Sequence, residues 1–448
     1  MKLRHYQGGA VNSLRVNINK GLKSQLLVIP TGGGKTVVFT TIAKGAISKG
    51  KTVMIVCDRK ELISQAGDNL GRLGLLPTII APGYPQNINN CYLASVDTLR
   101  RRELPKVDII IIDEAHKQTF DKLIQRYKDE GMDPLIIGAT ATPLRTGNQN
   151  SLSDYYQTIV EPTTTDRLLN EGFLVPCRTF AAKMDLSAVK MTGGDYNNAA
   201  LYTEFNKAKL YSGVIDQYEK FAKGKKTLIF NVNVEHSKKT VEAFTSAGYK
   251  AKHLDGSTPK DLRRYLLESF HRGEFDILSN CSVLTTGYDE PSIEAIIMNR
   301  ATKSLPLYLQ MAGRGSRLYP NKKDFILIDM GANCYEHGLW SDPRSWNIIK
   351  KKRSNTGVAP VKLCPKCEAM NPASAVKCLD CDFIFPVKEK KLLEGVFVEV
   401  KATRGLTVAM DFKNATLEQL KAYGIENKYK QGWAHATFKR QNRGVGNS

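Results

Sequence analysis

The chain of 448 residues carries 65 lysines and arginines against 44 aspartates and glutamates, a formal net charge of +21. Its length predicts two or three domains of roughly 150 residues each, and a hydrophobic content of 42% excludes a wholly disordered chain. So large an excess of positive charge predicts a polyanionic partner, either nucleic acid or an anionic membrane surface.

The N-terminal residues and the cysteines indicate where in the cell the protein is expected. The first 20 residues lack the apolar core of a secretory signal, and no apolar run reaches the roughly 18–20 residues that cross a bilayer. Five of the nine cysteines are scattered singly, and four form two closely spaced pairs. We therefore expect a soluble cytoplasmic protein in a reducing compartment, without a membrane partner.

Two stretches of the chain alternate short apolar runs with longer mixed segments. The runs are QLLVIP, TVMIVC, NCYLASV, VDIIIID and PLIIGAT in the first stretch, and KTLIFNV, YKAKHLD, FDILSN, IEAIIMN and DFILIDM in the second. Strand-length runs separated by helix-length segments are typical of parallel sheets covered on both faces. The predicted fold class is therefore α/β, with tandem domains at 1–145 and 206–345 and a partly structured connector at 146–205.

A glycine-rich loop lies between the strand-like LLVI and the helix-like VVFTTIAKGAISKG. It reads Pro30-Thr31-Gly32-Gly33-Gly34-Lys35-Thr36. Glycines let the backbone fold closely around phosphate oxygens, so that Lys35 can reach the β- and γ-phosphates of ATP while Thr36 ligates Mg²⁺. Ile29 stands where the full phosphate-loop pattern has its first glycine, and an ordinary glycine-rich turn is the alternative interpretation.

Two acidic residues, Asp113 and Glu114, end the hydrophobic run VDIIII. Ligands of open α/β sheets bind beyond the carboxyl ends of the strands, which is where this pair is expected. We expect Asp113 to hold Mg²⁺, directly or through water, and Glu114 to orient and polarise the attacking water. The alternative is that the two carboxylates cap the following helix.

The order of these motifs resembles that of the superfamily 2 helicases and translocases, from residue 4 to about residue 330. The loop variant with Ile29 is normal in that family. The resemblance implies two RecA-like domains that hydrolyse ATP. Further segments that resemble family motifs are RHYQ (4–7), IVCDRKELISQ (55–65), ASVDTL (94–99), DEAH (113–116), GATATP (138–143), LTTGYD (284–289) and QMAGRGSR (310–317).

The resemblance also implies roles for single residues. Gln7 is the expected adenine contact, and Gly287 and Asp289 are expected to contribute to the nucleotide site. The expected contacts to the nucleic-acid strand are Arg59, Thr98 and Thr285.

The last motif also has a physical logic of its own. An arginine that neutralises transition-state charge speeds phosphoryl transfer by a factor on the order of 10³–10⁵. Arg314 and Arg317 are three residues apart, which predicts one helical face, and they lie on the domain opposite Lys35. We expect Gln310 and both arginines to act in catalysis, at a site that is complete only when the domains close. A surface pair of arginines is the alternative.

Four cysteines form the pairs Cys364/Cys367 and Cys378/Cys381, with ten residues between the pairs. Four thiolates on two tight turns can hold one Zn²⁺ tetrahedrally and leave no open position for catalysis. We therefore expect a structural zinc module within 346–390, with redox-active or free thiols as the alternative. A helicase core followed by such a module resembles the RadD-like DNA-repair helicases of bacteria and phages.

The C-terminal end concentrates the positive charge. Residues 345–448 hold 19 lysines and arginines against 9 acidic residues, so +10 of the +21 lies in less than a quarter of the chain. Within the basic tail at 391–448, the stretch YKQGWAHATFKR (429–440) interleaves aromatic and basic side chains. This pattern suits base stacking with phosphate contact, and it suits equally a small amphipathic helix that packs on the core.

Together these features predict an ATP-driven DNA helicase or translocase that acts on single-stranded, forked or branched DNA in repair, recombination or replication. An RNA helicase with the same motor and a nucleic-acid-binding adaptor with a decayed ATPase core are the alternatives. A nuclease or motor subunit of a restriction system is less favoured, because the sequence has no convincing nuclease-like carboxylate cluster outside the motor motifs. The intact Lys35, Glu114 and Arg314 argue against decay. We expect a monomer that has single-stranded-DNA-binding protein or other replication and repair proteins as partners besides DNA.

Overall fold

A computed structural model describes most of the chain, in two units, Met1–Pro386 and Val387–Ser448. No described helix is both long and apolar enough to cross a bilayer. The described residues are 3–58, 63, 66–67, 70–84, 89–145, 150–181, 186, 189–207, 210–285, 287–348, 361–386, 416–426 and 433–441.

The first sheet contains seven parallel strands. They are β1 (Ser24–Val28), β2 (Val53–Cys57), β3 (Thr78–Ile80), β4 (Cys91–Ser95), β5 (Ile109–Asp113), β6 (Leu135–Thr140) and β7 (Thr158–Val160). Their order across the sheet is β3-β4-β2-β5-β6-β1-β7. Each apolar run predicted for this domain is a strand, and β2 and β4 are buried along their whole length because helices cover both faces.

Five helices with both ends among the described residues accompany this sheet. They are α1 (His5–Asn19), α2 (Lys35–Ile47), α3 (Val96–Leu99), α4 (Asp121–Asp129) and α5 (Thr165–Asn170). α1 and α2 pack on one face of the sheet, in a cluster that contains Leu27 and Val38. α4 packs on the other face, in a cluster that contains Val28 and Leu123. Both faces are therefore closed to water, and the strand ends are left for ligands.

The second sheet contains six parallel strands in the middle of the chain. In chain order the next strands are β8 (Cys177–Ala181), the hairpin β9 (Met191–Thr192) and β10 (Asp195–Tyr196), β11 (Thr227–Asn231), β12 (Ala251–Leu254), β13 (Ile277–Asn280), β14 (Ala295–Asn299) and β15 (Phe325–Asp329). The sheet has the order β12-β13-β11-β14-β15-β8, so every run predicted for this domain is again a strand.

The helices of this second α/β domain also cover both faces of its sheet. They are α6 (Asn198–Lys207), α7 (Leu210–Phe221), α8 (Val234–Ser246), α9 (Lys260–Arg272), α10 (Leu305–Ala312) and α11 (Asn333–His337). One face has a cluster that contains Phe230 and Leu327, and the other a cluster that contains Ile229. The first of these clusters includes Tyr6 and Leu168 from α1 and α5, so it continues from one domain into the other.

The residues predicted as a connector, 146–205, contribute one strand to each sheet. β7 pairs in parallel with β1 in the first sheet, and β8 pairs in parallel with β15 at the edge of the second. The connector therefore has structure of its own, and the two sheets share it. The exact domain boundaries stay a prediction.

A segment after α11 leads from the second domain back to the first. The ring of Trp340 meets that of Phe325 edge-on in the second domain, with the ring centroids 5.5 Å apart. Trp346 packs against apolar clusters of both domains. The carbonyl of Ile348 then accepts a 2.9 Å hydrogen bond from the Ser151 hydroxyl. The two α/β domains are thus held together by this segment as well as by the connector.

The cysteine-bearing region, 361–386, packs on the second domain. Its strands β16 (Val361–Leu363) and β17 (Met370–Pro372) form an antiparallel ribbon. Cys364 and Phe385 join the apolar cluster beside α7, and Arg178 of β8 donates a 2.7 Å hydrogen bond to Asp380. The sequence predicts such a module but not its attachment to β8.

In the second unit the structure describes two helices, α12 (Leu417–Glu426) and α13 (Trp433–Gln441). Leu420 and Ala434 are buried between them, and Trp433 and Phe438 pack against that pair. Two aromatic rings of the predicted aromatic and basic stretch therefore contribute to helix packing within this unit. Residues 427–432 of that region lie outside the described residues.

Candidate nucleotide site and nucleic-acid interface

The glycine loop lies between the end of β1 and the first turn of α2. Gly32 and Gly34 have φ values of +83° and +80°, in the left-handed region that favours glycine. A Cβ added to Gly33 would come within 2.5 Å of Ile29 Cγ2, and one added to Gly34 within 2.6 Å of Gln7 Nε2. The loop therefore requires bare backbone at these three positions, which fits a phosphate cradle.

The first turn of α1 is hydrogen-bonded to this loop. The Tyr6 hydroxyl donates to the carbonyl of Gly33 at 2.8 Å, and the Gln7 side-chain amide donates to the same carbonyl at 3.3 Å. The Arg4 guanidinium lies 4.5 Å from the centroid of the Phe173 ring, which also contacts Tyr6. Sequence reasoning placed Gln7 here but missed Phe173, which belongs to no motif and reaches the site only through the fold.

The carboxylate of Glu114 joins the two domains. Its Oε1 lies 3.1 Å from the Lys35 ammonium of the glycine loop, and its Oε2 accepts a 3.2 Å hydrogen bond from the Gln310 amide of the second domain. Asp113 ends β5 and accepts a 3.0 Å hydrogen bond from the backbone N–H of Glu114. Lys35 and Gln310, both of which the sequence assigned to catalysis, are therefore within hydrogen-bond distance of the Glu114 carboxylate.

Burial and neighbouring charges set the protonation of these groups. Burial, together with the charge of Glu114, raises the pKa of Asp113 to about 6. Burial also acts to raise the pKa of Glu114, but the charges of Lys35, His116 and Lys117, together with the hydrogen bond from Lys35, outweigh it and hold that pKa below its usual value. At neutral pH both carboxylates are therefore ionised. Asp113 and the Thr36 hydroxyl offer the oxygen ligands that Mg²⁺ prefers.

The DEAH and GATATP segments are connected through a buried hydrogen-bond chain. A ring nitrogen of His116 lies 2.8 Å from the Thr140 hydroxyl, whose oxygen accepts from the backbone N–H of Thr142. Arg145 donates to the carbonyl of His116 at 2.8 Å and forms a two-fold ion pair with the carboxylate of Asp121. Sequence reasoning missed Arg145, which lies two residues after the GATATP segment.

Arg314 and Arg317 do not share a helical face, and that prediction was wrong. α10 ends at Ala312, before either arginine. Gly315 follows in a turn, where an added Cβ would come within 2.3 Å of the Phe325 ring. Only a glycine lets the backbone come so close to the Phe325 ring, and the chain turns at this point. The helix that the three-residue spacing of the arginines suggested therefore ends before them.

Both arginines are held by the LTTGYD segment (284–289) of their own domain. The Arg314 guanidinium donates to the carbonyls of Tyr288 and Thr285, the latter at 2.7 Å. Arg317 forms a 2.9 Å ion pair with Asp289. Burial and the neighbouring Arg317 lower the pKa of Arg314 to about 9, which leaves it charged at pH 7. Among the described residues its Nε has no hydrogen-bond partner, so one donor stays available.

The glycine loop and the last motif touch across the domain interface. A Cβ added to Gly313 would come within 2.8 Å of the Thr31 side chain, and one added to Gly32 within 3.3 Å of the Ser316 hydroxyl. Gly287, which begins the turn before Asp289, has a φ of +77°. The structure is therefore closed around the predicted nucleotide site.

Comparison with known proteins agrees with this geometry. Residues 1–145 match the family model described as type III restriction enzyme, res subunit, and residues 207–319 match the helicase conserved C-terminal domain. A 51.5 kDa protein of a Lactococcus phage (isolate 7-9) is 32% identical over 371 residues, which cover 81% of this chain and 78% of that protein. The chain belongs to the superfamily 2 helicases.

Two more relatives show how far the likeness to this helicase family extends. The putative ATP-dependent helicase IRC3 of Saccharomyces cerevisiae is 30% identical over 353 residues, 73% of this chain, but the match spans only 51% of the yeast protein. The fragment structure of a putative HsdR subunit of a type I restriction enzyme from Vibrio vulnificus shares the fold, with a TM-score of 0.57, 24% identity and coverage of 73% of this chain and 64% of that one. The chain is thus an ATP-dependent enzyme of the helicase and translocase class, and its partner is nucleic acid.

Two of the three residues predicted to contact nucleic acid lie in segments that follow β-strands. Thr98 is on α3, directly after β4, and its buried hydroxyl has no hydrogen-bond partner among the described residues. Thr285 is buried after β13, and its carbonyl accepts from Arg314. Arg59 lies outside the described residues. Sequence reasoning missed the run 100–102, three arginines that line a cavity together with Thr98.

The four clustered cysteines bring their sulfur atoms together. All four sulfurs lie within 4.8 Å of one another, and the pairs Cys364/Cys381 and Cys367/Cys378 are 3.7 and 3.6 Å apart. Tetrahedral zinc with bonds of about 2.3 Å places its sulfurs about 3.8 Å apart, so the residues fit the ion. The Asn371 side-chain amide also donates to Cys378 at 3.5 Å. All nine cysteines of the chain are free of disulfide bonds.

Proposed function

We propose that this protein is an ATP-dependent DNA helicase or translocase that acts on single-stranded, forked or branched DNA in repair, recombination or replication. The cofactors of the proposal are ATP, Mg²⁺ and structural Zn²⁺. The catalytic residues are Lys35, Asp113, Glu114, Gln310, Arg314 and Arg317.

The contact of Glu114 with both domains carries this proposal. Lys35 holds one oxygen of the carboxylate from the glycine loop, and Gln310 holds the other from the second domain. When the Lys35 ammonium binds the phosphates of ATP instead, Oε1 of Glu114 is free to accept a hydrogen bond from the attacking water. Gln310 keeps the carboxylate oriented only while the domains are closed, so hydrolysis and domain movement are coupled.

The match to a restriction-enzyme family model favours DNA over RNA. That model, which matches residues 1–145, is named for a class of enzymes defined by its action on DNA. The net charge of +21 supports backbone contact with either polymer. An RNA helicase with the same motor is therefore the outcome against which the proposal is tested.

A polymer panel tests the substrate. ATP hydrolysis is measured with no polymer and with single-stranded, duplex, forked and four-way DNA, and with RNA of matched sequence. We expect single-stranded, forked or branched DNA to stimulate hydrolysis more than RNA does. Stimulation by RNA alone refutes the DNA assignment, and a rate that no polymer changes refutes the motor.

Matched variants test the site. Glu114→Gln and Lys35→Ala should abolish turnover and leave DNA binding largely intact, because neither side chain is expected to contact the strand. Glu242→Gln makes the same chemical change at an exposed position of α8 and should retain full activity. Rapid hydrolysis by the Glu114→Gln protein contradicts the role that we give to this carboxylate.

The zinc part of the proposal rests on the sulfur geometry and has a separate test. Metal analysis of the purified protein should give about one equivalent of zinc, and Cys378→Ser should reduce it. Cys281→Ser, at a cysteine outside the cluster, should leave the zinc content unchanged. A wild-type protein with far less than one equivalent refutes the site.

Several sequence-based expectations stay predictions. They are the RadD-like relationship, the cytoplasmic location, the monomeric state, a partnership with single-stranded-DNA-binding protein, and strand contact by Arg59, Thr98 and Thr285. The expected nucleotide contacts of Gln7, Thr31, Gly32, Gly33, Gly34, Thr36, Gly287 and Asp289 belong with them.

A further inference from the structure

Arg300 is a buried cation outside the predicted motifs. It follows the last residue of β14, and only 7% of its surface is exposed. Its backbone is held in place, because its carbonyl accepts a 2.9 Å hydrogen bond from the Asn333 amide. An added Cβ on Gly331 would come within 2.1 Å of the same carbonyl. The chain packs tightly around this residue, so its position is well defined.

The guanidinium of Arg300 lacks a partner. Its Nε is buried without a hydrogen bond, and its side chain forms no hydrogen bond or ion pair within the part of the chain that the structure describes. The charge of Asp195 acts on Arg300, but this carboxylate accepts its hydrogen bonds elsewhere, from the Thr302 hydroxyl at 2.5 Å and from the Lys303 N–H at 2.6 Å. Arginine stays charged in proteins, so a buried positive charge without a hydrogen-bonded anion remains.

The place of Arg300 in the sheet indicates the kind of ligand. β14 lies beside β11, which lies beside β13, and all three run in parallel, so their carboxyl ends meet at one edge. Ligands of open α/β sheets bind beyond that edge. The segment after β13 at the same edge begins with Cys281 and leads to Thr285. Arg300 is thus on the edge where strand contact is expected.

We propose that Arg300 binds a backbone phosphate of single-stranded DNA on the second domain. The inference rests on the proposed function, because it requires a DNA strand across both domains. A guanidinium binds phosphate oxygens through two parallel N–H donors, and a phosphate supplies the hydrogen-bonded anion that Arg300 lacks among the described residues. Such a contact positions the strand without reading its sequence.

Salt-dependent binding tests the proposal. Binding of a labelled single-stranded thymidine oligonucleotide is titrated from 50 to 300 mM KCl for wild-type, Arg300→Gln and Arg300→Lys proteins. Each phosphate contact on a single strand contributes about 0.7 to the slope of log K against log salt. We expect Arg300→Gln to lower the slope by about 0.7 and to weaken binding on the order of tenfold or more. Arg300→Lys should restore the slope but not the full affinity, since an ammonium cannot bind through two parallel donors.

Arg272→Gln is the matched control. It removes the same charge from the end of α9, shortly before β13 begins and therefore at the opposite edge of the sheet, where Arg272 pairs with Glu274 at 2.7 Å. Its slope and affinity should equal those of the wild type. Thermal melting of each variant, followed by circular dichroism, shows whether the fold is kept.

Three results would overturn the inference. The first is a folded Arg300→Gln protein with the wild-type salt slope, and the second is an equal loss of affinity and slope in the Gln and Lys variants. The third is wild-type affinity in the Lys variant. If the Gln variant does not fold, the affinity of the Lys variant alone decides. A wild-type protein that does not bind the DNA oligonucleotide, or that binds only its RNA counterpart, refutes the proposed function first. The two failures are therefore distinguishable.

Discussion

A single methyl group at Gly313 should interfere with the closed state of the two domains. Gly313 has φ −62° and ψ −9°, which alanine adopts without strain. The added Cβ would nevertheless lie 2.8 Å from both Cβ and Cγ2 of Thr31, which belongs to the glycine loop of the other domain. Gly313→Ala therefore changes the domain interface while leaving the local backbone conformation of its own domain allowed.

The magnitude follows from this distance. Carbon atoms in contact prefer separations of about 3.5–4.0 Å, so the interface must open by roughly 0.7 Å or more to accept the methyl group. Overpacking of this kind costs about 1–3 kcal/mol. If only the closed state hydrolyses ATP, this cost lowers its population, and the maximal rate of hydrolysis falls by about 5- to 150-fold.

The assay compares two glycine-to-alanine variants. DNA-stimulated ATP hydrolysis at saturating ATP is measured for Gly313→Ala and for Gly213→Ala, together with thermal melting. Gly213 lies inside α7 with no atom within 4 Å of an added Cβ, so its variant should keep full activity and gain up to about 1 kcal/mol of stability. Gly313→Ala should lose activity while its melting temperature stays close to that of the wild type.

Wild-type kcat in the Gly313→Ala protein would show that the closed arrangement of Thr31 and Gly313 is not needed for hydrolysis. A large fall in melting temperature would instead assign the effect to damage within the second domain. Either result refutes the reasoning that links the glycines of the last motif to domain closure.

Two further predictions concern the first domain. Arg145→Ala leaves the carboxylate of Asp121 buried and unpaired, since the two side chains are only 4% and 8% exposed, and should lower the free energy of unfolding in urea by about 3–5 kcal/mol. Loss of the exposed pair between Arg264 and Asp261 in Arg264→Ala should cost less than about 1 kcal/mol, and equal effects would contradict the argument. The raised pKa of Asp113, about 6, predicts that only about a tenth of this carboxylate is ionised at pH 5. The apparent affinity for Mg²⁺, titrated through ATP hydrolysis, should then be about tenfold weaker at pH 5 than at pH 8, and a requirement for Mg²⁺ that does not change with pH would contradict it.

The strands and the glycine loop were predictable because local rules decide them. Aliphatic runs such as Val53–Cys57 can only be strands buried on both faces, and a left-handed backbone at Gly32 and Gly34 needs glycine whatever the rest of the fold does. The position of Glu114 followed in the same way from a strand that ends at its neighbour. Each of these features is determined by residues that lie only a few positions apart in the sequence.

The contacts that cross the domain interface could not be predicted from such local patterns in the sequence. Phe173 reaches the first turn of α1 through a separation of more than 160 residues, and Trp346 returns to the first domain after the whole second sheet. Neither position differs from an ordinary core aromatic in the sequence. The three-residue spacing of Arg314 and Arg317 misled for the opposite reason, since it suggested a local rule where packing of Gly315 against Phe325 decides the backbone.

Arg300 shows why an unpaired buried charge is visible only in the fold. In the sequence it is one of 65 basic residues, and its neighbours give it no motif. Its burial arises because Asn333 and Gly331 bring the segment after β15 across the end of β14. Folding alone would favour an uncharged residue at such a place, because a buried charge without a partner costs several kcal/mol. The net charge of +21 therefore includes a buried cation for which the proposed phosphate would supply the hydrogen-bonded partner.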